Sequence, residues 1–145
     1  MMSNLLVVCL GNYCRSPFAQ LALARRGGPH MTVRSAGLIG KWQDQPAHSA
    51  MINAARRLGY DLTAHRAQQI SLDMLEWADT VLAMDVSVLA TLRAVWGPEN
   101  ESKLRLYLAD RDVPDPMGQD DAVFHECAVL IEAGTALHTG GRRIT

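Results

Sequence analysis

One juncture near the start of the chain constrains the fold more than any other stretch. A continuous apolar run, Leu5-Leu6-Val7-Val8-Cys9-Leu10, is broken at once by Gly11-Asn12 and followed by Ser16-Pro17. A short run rich in branched side chains, with no polar alternation, suits a strand buried on both faces of a parallel sheet. Ser16 reads as a helix cap and Pro17 as the first helical position, so a helix is expected through 18–24, ending near Gly27-Gly28. Thr32-Val33-Arg34-Ser35-Ala36 then reads as a second strand, which completes a right-handed strand-helix-strand unit.

The same alternation continues downstream. Residues 37–46 read as an irregular surface loop carrying Trp42, and helical periodicity over 47–58 stops at Gly59. Ser71 is placed to cap a short helix through Leu72, Leu75 and Trp77. A third strand is expected over 80–84, a helix over 86–95, a fourth strand over 103–108 and a last helix over 121–133. Strands alternating with helices predict a doubly wound parallel α/β sheet covered on both faces. On such sheets ligands bind beyond the carboxyl ends of the strands, which puts Cys9 in the crevice.

Size and composition bound the rest. The 145 residues suffice for one domain over 1–145 with its own core, and 48% hydrophobic with 20% charged residues is the composition of a soluble globular protein. With 14 basic and 15 acidic residues the formal net charge is -1, so no long-range field recruits nucleic acid or an anionic membrane, and any bound anion must be held locally. The first apolar run is too short for a signal-peptide core or a membrane span, and an address in the cytoplasm is expected. Three cysteines without ligand spacing describe neither a disulfide framework nor a metal site. No cofactor is expected.

The segment Cys9-Leu10-Gly11-Asn12-Tyr13-Cys14-Arg15-Ser16 carries the chemistry. Five residues between a Cys and an Arg, closing onto a helix N-terminus, can curl so that backbone N–H groups converge on one centre. The helix dipole favours a phosphate dianion there, and the Arg15 guanidinium offers a planar fork for two of its oxygens. The same field favours the thiolate of Cys9, a nucleophile beside the anion it would attack. Gly11 suits a close approach of backbone to phosphate, and Asn12 tolerates a left-handed conformation. Ser16 has two roles open to it, helix cap and hydroxyl donor to the Cys9 sulfur.

A thiolate attacking a phosphate ester needs a partner that protonates the leaving oxygen and later activates water. Asp115, in Val113-Pro114-Asp115-Pro116, is the candidate because flanking prolines hold its carboxylate in a stiff segment. Asp110, Asp112, Asp120 and Asp121 read as solvated.

These residues resemble the low-molecular-weight protein tyrosine phosphatases of bacterial type. The resemblance is carried by 8–17, by Arg34-Ser35-Ala36-Gly37, by 61–67, by 78–84 and by 113–116, in family order along nearly the whole chain. It implies a three-layer α/β/α, Rossmann-like fold with a central four-stranded parallel sheet and the phosphate-binding loop after strand 1. It implies Cys9 as nucleophile, Arg15 as phosphate clamp and Asp115 as general acid, then base. Leu10, Gly11, Asn12, Tyr13, Cys14 and Ser16 fill the loop. Ser35 and His65 join Asn12 and Ser16 in a supporting hydrogen-bond network. Read alone, His65 is a partly buried structural histidine. Cys14 is either the family's second cysteine, able to form a reversible disulfide with the nucleophile, or a small buried thiol. The implied partner is a tyrosine-phosphorylated protein, such as a bacterial tyrosine kinase of polysaccharide export, acted on by a monomer or weak dimer.

Departures from the family pattern concern the cleft. Relatives commonly carry tyrosine after the Asp-Pro pair, where this chain has Met117-Gly118, and Tyr13 occupies a place where small or aliphatic residues are common. Trp42 either stacks on the aryl ring of a substrate or packs on its neighbours. Three other activities fit the same loop: protein arginine phosphatase, which goes with threonine at the Tyr13 position; arsenate reductase, which needs further cysteines on a mobile segment; and a non-catalytic phosphopeptide-binding module.

Overall fold

The computed structural model describes residues 2–140. Four parallel strands, β1 (Ser3–Cys9), β2 (Met31–Gly37), β3 (Thr80–Ala83) and β4 (Leu104–Leu106), lie in the order β2-β1-β3-β4. β1 is central and pairs with β2 from Ser3↔Met31 to Cys9↔Gly37, and with β3 from Leu5↔Thr80 to Val8↔Ala83. Its apolar run is therefore covered twice over: Leu6, Val7 and Val8 are fully buried. Burying each such side chain contributes about 1.5–3 kcal/mol.

The pleat of β1 divides the core into two layers. Leu5, Val7 and Cys9 face one side, packed by α1 (Arg15–Gly27), α2 (Ser49–Arg57) and α5 (Asp121–Gly134) through Phe18, Met51, Phe124 and Ile131. Leu6 and Val8 face the other, packed by α3 (Leu72–Trp77) and α4 (Val86–Trp96) through Leu75, Leu89 and Leu92. This is the expected three-layer α/β/α arrangement. Gly28, at a φ of 62°, ends α1 as its sequence implies. Ser71 caps α3 through the Met74 amide, and Asp85 and Asp120 cap α4 and α5. Among the described residues no helix is long and apolar enough to cross a membrane.

Most boundaries fall within a residue of those read in the sequence, and three of those that differ by more have a local cause. α1 starts at Arg15, two residues before Pro17, with Cys14 at the N-cap making no side-chain cap bond. Ser16 is thus inside the helix rather than capping it, because its hydroxyl is engaged by the cysteine. α2 starts at Ser49 rather than 47, since the His48 ring accepts the Ala50 amide and fixes the start. β4 covers only 104–106, because Lys103 closes a 3₁₀ turn and the chain after Leu106 bends through Ala109 at a φ of 70°.

Candidate active site

Cys9 is the last residue of β1 and lies at the carboxyl end of the sheet, where α1 begins six residues later. The turn between them depends on Asn12, which is fully buried at a φ of 56°. Asparagine is among the few side chains that accept this left-handed conformation. The position also uses every polar group of the residue. Asn12 Nδ2 donates to Ser16 Oγ and Ser35 Oγ, both at 2.9 Å; Oδ1 accepts the Gln68 amide at 2.9 Å; the carbonyl accepts from His65 Nε2 at 2.9 Å. Since a carbonyl only accepts, His65 carries its proton on Nε2. Burial, reinforced by Arg66, holds the His65 ring below its ordinary value despite that bond, so it is a neutral support of the loop.

Ser35 Oγ donates to Gln20 Oε1 at 2.6 Å and so receives from Asn12. Ser16 Oγ also receives from Asn12 and lies 3.0 Å from the Cys9 sulfur, to which its hydroxyl donates when that sulfur is a thiolate. The Asn12 amide donates to the same sulfur at 3.3 Å. Two donors aimed at one buried sulfur are what a thiolate requires.

Arg15 is almost fully buried at the first turn of α1. Its Nη1 donates to Asp85 Oδ2 at 2.7 Å and to the Val113 carbonyl at 2.8 Å, while Nη2 lies 3.8 Å from Asp115 Oδ2. Burial alone would lower its proton affinity, but Cys9, the Asp85 hydrogen bond and Asp115 together raise it, and the cation is permanent. Asp115 is half exposed and accepts the Met117 amide at 3.1 Å.

The cleft is small and open to solvent, and is lined by residues 9–11 and 13–15 of the loop with Trp42, Asp115 and Met117. Trp42 and Tyr13 stack face to face, with centroids 4.8 Å apart and planes within 5°, and Lys41 Nζ stands 4.8 Å from the Trp42 ring centre. Gly11 has a further reason besides the one read in the sequence: a Cβ there would overlap the Trp42 ring carbons Cζ3 and Cε3. Cys14 Sγ lies 3.2 Å from Met117 Sδ.

The structure thus brings together Cys9, Arg15 and Asp115 around one cleft, with Tyr13, Trp42 and Met117 lining it and Ser35 and His65 behind the loop. Asp110, Asp112, Asp120 and Asp121 are exposed, and Asp112 and Asp120 serve helix amides. Three partners escaped the sequence reading: Asp85, Gln20 and Gln68. Asp85 had a signal, an acid two residues beyond β3 at the ligand-binding end of the sheet; the two glutamines had none. Among the described residues no cluster of His, Cys, Asp or Glu is placed to hold a metal.

Comparison with known proteins agrees with this geometry. The profile of the low molecular weight phosphotyrosine protein phosphatases matches residues 4–139. The chain is 34% identical over 137 residues to the low molecular weight protein-tyrosine-phosphatase Ptp of Acinetobacter johnsonii, covering 92% of this chain and 93% of that one. Wzb of Vibrio vulnificus, solved in complex with benzylphosphonate, superposes with a TM-score of 0.89 at 28% identity over 97% of this chain and 99% of the other. The YwlE arginine phosphatase of Geobacillus stearothermophilus superposes at 0.87 with 26% identity, over 95% and 91%. This chain belongs to the low molecular weight phosphotyrosine protein phosphatase family.

Proposed function

We propose that this protein hydrolyses phosphotyrosine esters through a cysteinyl-phosphate intermediate. The observation that carries the reading is the convergence of the Cys9 sulfur, the Arg15 guanidinium and the Asp115 carboxyl on one cleft. In the first step the Cys9 thiolate forms an S–P bond, the aryl P–O bond breaks, and the Asp115 carboxyl gives its proton to the departing phenolate oxygen. In the second, water attacks phosphorus and gives a proton to the Asp115 carboxylate, the S–P bond breaks, and inorganic phosphate leaves the regenerated thiolate. Arg15 holds the equatorial oxygens in both steps, where its charge counts most. Ser16 Oγ and the Asn12 amide steady the sulfur as nucleophile and leaving group.

The paired rings of Tyr13 and Trp42 favour a flat aryl ester over phosphoarginine. Cys127 lies buried on α5 rather than on an exposed segment, which weighs against arsenate reduction. A silent binding module would have no use for Asp115. The natural substrate on this reading is a tyrosine-phosphorylated protein. The form of Ser35-Ala36-Gly37-Leu38, similar to that of enzymes accompanying polysaccharide-export tyrosine kinases, supports a kinase of that kind. Three free thiols, one the nucleophile, suit the reducing cytoplasm. The test compares turnover of p-nitrophenyl phosphate, phosphoarginine and arsenate by wild type, Cys9→Ser and Asp115→Asn. Aryl phosphate hydrolysis lost in Cys9→Ser is expected; its absence from wild type refutes the reading.

A further inference from the structure

Asp115 has almost no anchorage of its own. Its side chain is 43% exposed, its nearest charged partner is 3.8 Å away, and its remaining bond is to the amide two residues on. Val113 fixes the start of the segment, its amide donating to the Met84 carbonyl and its carbonyl accepting from Arg15, both at 2.8 Å, but Pro114 and Pro116 have no N–H to donate, so around Asp115 further contacts must go through carbonyls and the Met117 side chain. Yet a general acid must be aimed to within a fraction of an ångström.

Two further contacts, one on each side of Asp115, come from sulfur groups. Cys127 of α5, 6% exposed, donates to the Pro114 carbonyl at 3.7 Å. Cys14 at the cap of α1, 4% exposed, donates to Met117 Sδ at 3.2 Å. One contact falls just before Asp115 and the other two residues after it, and each comes from a different helix of the same core layer. Both thiols keep their protons. Burial pushes Cys127 up to about 12, helped by Asp115 and Cys9. Burial also pushes Cys14 far up, with Cys9, Asp115 and Cys127 adding to it. A neutral thiol is a weak donor, but the two contacts fall on either side of Asp115 in a stiff segment and add to the Val113 bonds in favouring one of its orientations.

We propose that Cys14 and Cys127 are positioning residues, which hold the 113–117 segment from both sides so that the Asp115 carboxyl faces the leaving oxygen. The inference rests on the reading of Asp115 as general acid. It also gives Met117 a purpose at a place where relatives commonly carry an aromatic: its thioether is the acceptor that ties the acid segment to the phosphate loop.

The experiment measures kcat/KM for phenyl phosphate, a poor leaving group, against p-nitrophenyl phosphate, a good one. Misaiming the acid penalises the first more. In Cys127→Ala, Cys14→Ala and Met117→Leu the ratio of the two is expected to shift against phenyl phosphate by about fivefold, and Cys14→Ala/Met117→Leu to shift it no further than either single change. A wild-type ratio in all three single variants, or additive effects in the double variant, overturns the proposal. Asp115→Asn is the control: a wild-type ratio there overturns the acid reading and this one together, whereas a large shift in Asp115→Asn beside wild-type ratios in the cysteine variants overturns only the positioning role. Melting of each variant by circular dichroism separates misfolding from misaiming, and the cycle between Cys14 and Met117 stands even where Cys127→Ala does not fold.

Discussion

The Arg15 guanidinium is locked to the Asp85 carboxylate by a 2.7 Å ion pair in which neither group is well exposed. Asp85 does two jobs with its two oxygens: Oδ2 takes Arg15 Nη1, and Oδ1 takes the Val88 amide at the start of α4. On the proposed reading, the phosphate clamp is therefore aimed by the cap of a helix on the opposite face of the sheet. One end of the fork is fixed and the other is free for the cleft.

Asp85→Asn keeps an oxygen for the Val88 amide but removes the charge facing Arg15. The expected result is a fall in kcat/KM for aryl phosphates of about tenfold or more, carried largely by KM, with the melting temperature little changed. Asp85→Ala should add a stability loss of about 1 kcal/mol from the missing cap. Steady-state kinetics with thermal melts of both variants separates the two jobs; equal kinetics in Asp85→Asn and wild type would mean the pair does not aim the clamp.

Ser16→Ala removes the hydroxyl that donates to Cys9 and leaves Asn12 Nδ2 short of one acceptor in a buried place. We expect kcat to fall at least tenfold with a smaller change in KM, since the sulfur is the attacking group in one step and the leaving group in the next. The stability cost is about 1 kcal/mol from the unpaired amide. Pre-steady-state bursts would show the intermediate persisting longer; a wild-type kcat would return Ser16 to a structural role.

Two glycines near the loop should respond differently to a methyl group. At Gly37 a Cβ would lie 2.6 Å from the Gly11 carbonyl carbon and 2.8 Å from the Asn12 amide nitrogen, both backbone atoms of the phosphate loop. At Gly11 its three nearest contacts would all be carbons of the Trp42 ring, a partly exposed side chain. Gly37→Ala is expected to abolish most activity because the loop itself must shift, whereas Gly11→Ala should displace Trp42 from Tyr13 and act mainly on KM. Tryptophan fluorescence alongside kinetics decides between these outcomes.

Much of this site was legible because its chemistry is local. Cys9, Asn12, Arg15 and Ser16 lie within eight residues, and the turn that gathers them follows from an apolar run, a glycine and an asparagine. Asp115 was legible through its prolines. The supporting contacts were not, because they cross long stretches of chain: Asp85 reaches Arg15 over 70 residues, Gln68 reaches Asn12 over 56, and Cys14 meets Met117 over 103. Periodicity carries no record of which loop ends share a rim. The misplaced helix start has a similar cause, since Ser16 has the composition of a cap but a buried sulfur competes for its hydroxyl.

Stability should fall as the solution is made mildly acidic, and two histidines set the window. His65 donates to the Asn12 carbonyl at 2.9 Å and His138 to the Tyr107 carbonyl at 2.6 Å. In each, burial holds the ring below the ordinary 6.5, with Arg66 and Arg105 respectively adding to the depression. The native state thus binds fewer protons than the unfolded chain just below that value, so stability rises with pH across this range. Their contribution is fully present above 6.5 and is lost as the pH falls from there toward the depressed native values. Asp61, held below 3.8 by the Thr63 hydroxyl and amide, titrates too low to enter this window. Melting temperatures taken from about pH 8 down to about pH 5 should decline in wild type, and the decline should flatten in His65→Gln/His138→Gln, whose amides can still donate to the two carbonyls. An equally steep decline in that double variant would assign the acid sensitivity elsewhere.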